Sequence, residues 1–171
     1  DFPSRYGGNI RVFLSSEKMG SSLKQEKKNT ILKKESKFFN SFFLMSNNIE
    51  KWKATKGRKI DALVKEYGPL KAKAFPGRAA ILVKLLGLNV NHISAVYEKP
   101  GSKKIGHYLP GTLIPIVSDD QLFLDGNGSG PIINLAWHIS EEIKQYLSEI
   151  QFGGVIIDIL DSSDFIDTDS F

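Results

Sequence analysis

The chain has no cysteine, which excludes disulfides, thiolate nucleophiles and cysteine-ligated metals. Its three histidines, His92, His107 and His138, do not follow metal-ligand spacing, so a three-histidine site would have to be assembled by folding. No apolar run approaches the roughly 20 residues of a membrane-spanning helix. No serine sits in a G-x-S-x-G elbow, and no nucleophilic triad is visible. The opening D-F-P-S-R has neither an initiator methionine nor a basic-then-apolar leader. It reads as a cut inside a longer polypeptide or a processed end, and with the missing cysteines it fits a cytoplasmic setting.

What is present is the composition of a globular protein. A hydrophobic fraction of 41% and a charged fraction of 25% over 171 residues suffice for a domain with a real core and argue against disorder. The net charge of +4 hides an asymmetry. Residues 1–104 carry 22 Lys and Arg against 8 Asp and Glu, a balance of +14, whereas residues 105–171 carry Lys144 against 11 acids, a balance of −10. A basic half suits a polyanion such as nucleic acid. It better describes a solvated lysine-rich helix surface beside an acidic domain.

Taken in order, Tyr6 to Ser15 is a Gly-Gly turn followed by alternating Ile10, Val12 and Leu14, the pattern of a half-buried strand. Glu17 to Thr30 is polar and lysine-rich, a linker or exposed loop with some local helix. Ile31 to Tyr67 reads as helix. Phe38, Phe39, Phe42, Phe43, Met45, Ile49 and Trp52 recur mostly at spacings of three and four, as for core or domain-interface packing. Gly57 makes a break or kink plausible, and Tyr67-Gly68-Pro69 is a helix stop.

An α/β pattern follows. Leu70–Ala74 is a short strand weakened by Lys71 and Lys73. Phe75-Pro76-Gly77-Arg78 is a turn, Ala79–Leu86 a helix and His92–Tyr97 a second strand with Glu98 at its tip. This is the order of a mononucleotide-binding half, and the glycine turn stands about 20 residues before the acid, as a ribose-binding acid would. Only Gly77 of the three fingerprint glycines is present. A helix N-terminus with Arg78 beside it can still hold a phosphate. Gly77 as a mere tight turn and Glu98 as a solvated strand end account for the residues equally well.

Leu113–Val117 reads as extended, with Ser118-Asp119-Asp120 as a helix N-cap. Gly126–Gly130 is a loop, more in keeping with a solvent turn than a phosphate cradle. Ile132–Trp137 is a buried strand, Ser140 starts a helix through Ile150, and Val155–Leu160 is a last strand before a loosely held acidic tail from Asp161. His107 and His138 lie near loops or strand ends and are the better ligand candidates, while His92 suits packing. Trp137 suits stacking on a base or sugar as well as core packing.

The segment K-I-G-H-Y-L-P-G-T-L-I-P-I-V-S from Lys104, followed by L-A-W-H-I-S-E-E-I from Leu135, resembles the C-terminal domain of bacterial sugar C-methyltransferases. Upstream, A-F-P-G-R-A-A-I-L-V-K-L-L-G-L resembles that family's glycine turn and helix, and Y-G-G-N-I-R-V-F resembles the strand that closes its methyltransferase core. The resemblance thus covers nearly the whole chain, in order. It implies an α/β, Rossmann-like three-layer domain with a mainly parallel sheet, preceded by a strand and a long helical segment. Residues 1–16 would end a methyltransferase core missing from this chain, 17–67 would be linker and helix, and 68–171 the nucleotide-sugar-binding domain.

The implied activity is S-adenosylmethionine-dependent methylation of a nucleotide-linked deoxy-keto-sugar. The zinc segment, the methyl-donor loop and the catalytic residues all belong to that missing core, so this chain alone would bind no cofactor and methylate nothing. By position, Pro76, Gly77 and Arg78 would meet the nucleotide or pyrophosphate and Glu98 would sit at the second strand tip. Lys104, Gly106, Tyr108, Pro110 and Gly111 would form a loop over the ligand, and Trp137 and His138 would face the sugar or the core. Departures occur at Tyr6 and Asn9 around the Gly-Gly pair, at Glu98-Lys99, and at His138 after Trp137. They point to a different sugar or to a relative that uses the fold for something else. Nucleic-acid binding is disfavoured because the phenylalanines follow a burial stripe instead of interleaving with lysines. A nicotinamide-dependent reductase is disfavoured by the missing glycines.

Overall fold

The computed structural model of the chain describes residues 14, 16, 22–124 and 130–165. The expected strand over 6–15 and most of the glycine loop at 126–130 lie outside them. The chain divides into two compact units, residues 1–50 and 51–171.

The first unit contains α1, Ser22–Glu35, and the beginning of α2, Phe38–Tyr67. Part of the segment read as linker is therefore helix. Ser36 and Lys37 form the turn between the two helices, their amides donating to Leu32 and Lys34 carbonyls. Of the aromatic stripe only Trp52 is core: Phe38, Phe39, Phe42 and Phe43 are all exposed. The expected break at Gly57 is also absent, since α2 runs through it without interruption. One glycine costs a helix about 1 kcal/mol, and Trp52, Lys56 and Ile60, buried on either side of it, offset that cost. The stop falls where the sequence placed it. Gly68 adopts φ 75°, its amide closing on the Val64 carbonyl at 2.8 Å, a left-handed conformation that glycine takes without strain.

The second unit is a five-stranded parallel sheet, confirming the Rossmann-like α/β class. Its strands are β1 (Leu70–Lys73), β2 (Ile93–Glu98), β3 (Ile116–Ser118), β4 (Ile132–Asn134) and β5 (Ile156–Asp158), in the order β3-β2-β1-β4-β5. The helices α3, Ala79–Leu85, and α4, Ser140–Glu149, follow β1 and β4. The last three strands are shorter than their apolar runs. β4 ends at Asn134 because that side chain caps the backbone ahead, accepting from the Ala136 amide at 2.9 Å.

Side-chain alternation sorts the core into two layers. On one face Leu70, Ala72, Val96, Ile116 and Ile133 pack with Trp52 and Ile60 of α2 and Ala79 and Val83 of α3. On the other, Ala95, Tyr97 and Ile132 pack with Ile143 and Leu147 of α4. A bulge between Leu70 and Lys71 shifts the pairing from Leu70–Ile93 to Lys71–Ala95, which keeps both faces in phase. The start of the acidic tail is anchored, not loose. Lys56, 3% exposed, reaches Asp161 at 3.1 Å, Asp164 at 3.0 Å and the Asp158 carbonyl at 3.0 Å.

Candidate functional site

In a parallel sheet with this order, the chain leaves β1 toward β2 on one side and β4 toward β5 on the other. The segments that follow β1 and β4 therefore run to opposite faces of the sheet, α3 to one and α4 to the other, and the space between two such segments is the usual ligand position in these folds. Here that crevice lies between Lys73-Ala74-Phe75 and Asn134-Leu135-Ala136.

Ala74 leaves β1 with φ 59°, a left-handed conformation costing a residue with a Cβ roughly 1–2 kcal/mol. The turn is held by its neighbours. The Phe75 amide donates to Glu98 Oε1 at 2.7 Å, and Lys104 Nζ donates to the Phe75 carbonyl at 2.5 Å and to Glu98 Oε1 at 3.0 Å. Glu98, mostly buried, thus ties the tip of β2 to the β1–α3 turn, with Lys104 closing the clip. Pro76, Gly77 and Arg78 follow in the same turn, Gly77 and Arg78 exposed. The amides of Ala79, Ala80 and Ile81 donate to Pro76, Gly77 and Arg78 carbonyls. The start of α3 is thus a tightened turn, and those three amides are engaged within it.

On the other bank, Trp137 and His138 stand in a 3-10 turn before α4, their rings edge to face at 5.3 Å. Asn134, fully buried, fixes that turn through the Ala136 amide and donates to Asp158 Oδ1 at 2.6 Å. Asp158 Oδ2 accepts from the Ser140 hydroxyl at 2.7 Å.

A third group lies on the α4 side of the same edge. Lys73, 1% exposed, donates to Asp119 Oδ2 at 2.5 Å, and the Tyr146 hydroxyl donates to the same oxygen at 2.7 Å. Lys73 Nζ stands 4.6 Å, and Lys99 Nζ 4.4 Å, from the centre of the Tyr146 ring. Asp119 Oδ1 is buried with no hydrogen-bond partner. Burial lowers the Lys73 pKa, and the contact with Asp119 opposes that shift. Burial first, then the bond to Asp119, pushes the Tyr146 phenol well above its ordinary value.

The eleven residues marked by sequence do not form one cluster. Pro76, Gly77, Arg78, Glu98 and Lys104 gather at the β1–β2 end, and Trp137 and His138 follow β4 on the facing bank. Gly106, Tyr108, Pro110 and Gly111 belong to a hairpin. Tyr108 bridges Pro115, Leu109 and Ile114 pair through the Leu109 amide at 2.9 Å, and Gly106 donates to the Ile116 carbonyl. The hairpin leads away from the crevice. Its tip, Gly111-Thr112-Leu113, lines with Asn89 and Val90 before β2 an open depression of about 410 Å³. That is the amino end of the strands.

Sequence reading missed Lys73, Asp119, Asn134, Asp158 and Tyr146. The signal for Lys73 was the alternation in L-K-A-K-A-F: two lysines on one face of a strand bordered by parallel partners must be paired or snorkelled. The cap at Ser118 was found, and its hydroxyl does accept from the Asp120 amide, but the inward turn of Asp119 has no local signature. Among the described residues no group of three or more His, Asp or Glu side chains is placed to hold a metal ion.

The fold and this edge define a Rossmann-like domain with polar side chains gathered at the point where the strand order reverses. The profile of the C-methyltransferase C-terminal domain family matches residues 4–159, and the chain belongs to that family. No curated protein matches it.

Proposed function

We propose that this chain is the substrate-binding part of a sugar C-methyltransferase and that it takes a nucleotide-diphospho-sugar into the crevice between the ends of β1 and β4. The observation that carries the reading is the braced β1–α3 turn. Lys104 and Glu98 hold Phe75 in place, so the exposed Gly77 and Arg78 are presented at a preorganised edge, where a guanidinium can grip a phosphate bidentately. Trp137 and His138, on the opposite bank, offer an aromatic surface to a base or sugar ring. Methyl transfer belongs to a methyltransferase core that uses S-adenosylmethionine, with this domain delivering the sugar to it in the cytoplasm. The β1–α3 turn does not fit that cofactor, because it has a single glycine and its amides at 79–81 are engaged. No helix among the described residues is long and apolar enough to cross a membrane.

Calorimetric titration with thymidine- and uridine-diphospho-sugars tests the reading. Weak binding that Arg78→Ala reduces is expected, and no heat with any diphospho-sugar refutes it.

A second reading has one observation in its favour. Lys27, Lys28, Lys33 and Lys34 of α1 are exposed, as are the phenylalanines that follow, which removes the burial argument against nucleic acid. Affinity for DNA or RNA that falls steeply with salt would mark it.

A further inference from the structure

The beginning of α2 carries an apolar surface that the proposed crevice does not use. Phe38, Phe42, Met45 and Ile49 succeed one another at spacings of four, three and four, and Phe39 and Phe43 widen the stripe, their rings edge to face at 5.5 Å. The four phenylalanines are 63–75% exposed and Met45 is 47% exposed. At about 200 Å² for each aromatic side chain, this leaves roughly 600 Å² of apolar surface on one helix face. A monomer's largest patch is about 300–600 Å², and each partner of a stable complex contributes about 800 Å². The stripe is at the upper limit of what a monomer leaves open and close to one partner's share. Ile31 and Leu32 of α1 are exposed as well.

We infer that this face is an isologous interface with a second copy of the chain, formed by two α2 helices crossing near Phe42 and Phe43. Three features favour a second copy. Alternation of four and three is the seam spacing of helix–helix pairing, so the complementary surface is another helix with the same spacing. A two-fold contact needs a surface that complements itself, and a stripe of near-uniform phenylalanines does so about its own centre. The charges flanking the stripe also fit an antiparallel crossing. With the axis between Phe43 and Leu44, Lys37 of one copy comes opposite Glu50 of the other and Glu35 falls between Lys51 and Lys53, whereas a parallel pairing would set each charge against its like.

Sedimentation velocity over a concentration series tests this on the whole chain. A monomer–dimer equilibrium is expected, and Phe39→Asp/Phe43→Asp should move its midpoint to concentrations roughly 100-fold or more higher, since several buried phenylalanines are lost per dimer. Leu44→Asp, on the opposite side of the helix and also exposed, should leave the midpoint in place. Because these side chains are exposed in the monomer, circular dichroism should show all variants folded. A chain that stays monomeric at every concentration overturns the inference, as does a dimer indifferent to Phe39→Asp/Phe43→Asp. Open-ended aggregation, or a monomer whose phenylalanines are covered only when nucleic acid or another protein is added, overturns it too.

Discussion

Removing the Asp119 carboxylate should destabilise the domain far more than removing the whole ion pair. In Asp119→Ala the Lys73 ammonium, 1% exposed, keeps its burial and loses its counter-charge, and Tyr146 loses the acceptor of its hydroxyl. Breaking a buried pair from one side typically costs about 3–5 kcal/mol, whereas replacing both members by apolar residues of similar volume is often neutral. For the roughly 120-residue sheet unit, 3–5 kcal/mol corresponds to a melting temperature lower by about 10–20 °C. Lys73→Met/Asp119→Leu should melt within a few degrees of the parent.

The pH dependence has a definite sign. Burial already holds the Lys73 pKa below the ordinary 10.5, so between its folded value and 10.5 the unfolded chain binds more protons and stability rises with pH. Without Asp119 the opposing pull is gone and that window opens at lower pH. The deficit of Asp119→Ala should therefore shrink as pH is raised toward 10.5. Tyr146 acts the other way, because its raised pKa favours the folded state only until the unfolded phenol ionises above 10.0. Thermal melts of the three proteins near neutral pH and just below 10.5 read all of this. Equal losses in Asp119→Ala and Lys73→Met/Asp119→Leu would refute the reasoning.

Other expectations concern the supports of the crevice and of the tail. Ala74→Gly should raise stability by up to about 1 kcal/mol by relieving the left-handed residue, measured by denaturant titration. Glu98→Gln should weaken diphospho-sugar binding while changing the melting temperature little, because a glutamine carbonyl can still accept from the Phe75 amide and only the charge opposite Lys104 is lost; calorimetry separates the two. Gly154→Ala should be destabilising, since a Cβ there collides with the Gly130 carbonyl and the Phe152 ring, and soluble yield and melting temperature report it. Burial opposes ionisation of Asp161, but its Ser163 and Lys56 contacts outweigh that and lower its pKa. Its contribution is therefore complete above the ordinary 3.8 and lost as pH falls through the folded value. Hydrogen exchange at residues 158–165 should accelerate there before the sheet opens.

The element order from β1 onward was readable because each element is short and punctuated. Gly68 and Pro69 stop α2, Gly87 with φ 66° ends the turn after α3, and the apolar runs at 93–97, 132–135 and 155–160 bracket the strands. The lengths of those strands were not readable, because Asn134 and its partners end β4 by contacts with Asp158 and Ser140, 24 and 6 residues away. The aromatic stripe shows the limit of periodicity, which identifies an amphipathic face but not what covers it. In the crevice, Glu98 and Lys104 were found from position, yet their joint grip on Phe75 follows from the packing of the hairpin, and Lys73 with Asp119 from a pairing across β1, β2 and β3.

The most direct test of the crevice is a backbone amide NMR titration of the whole chain with a thymidine-diphospho-sugar. The account expects shifts at Phe75–Arg78, Glu98 and Asn134–His138, with Asn89, Val90 and Gly111–Leu113 at the other end of the strands unmoved. Shifts confined to that far end, or none anywhere, would contradict it.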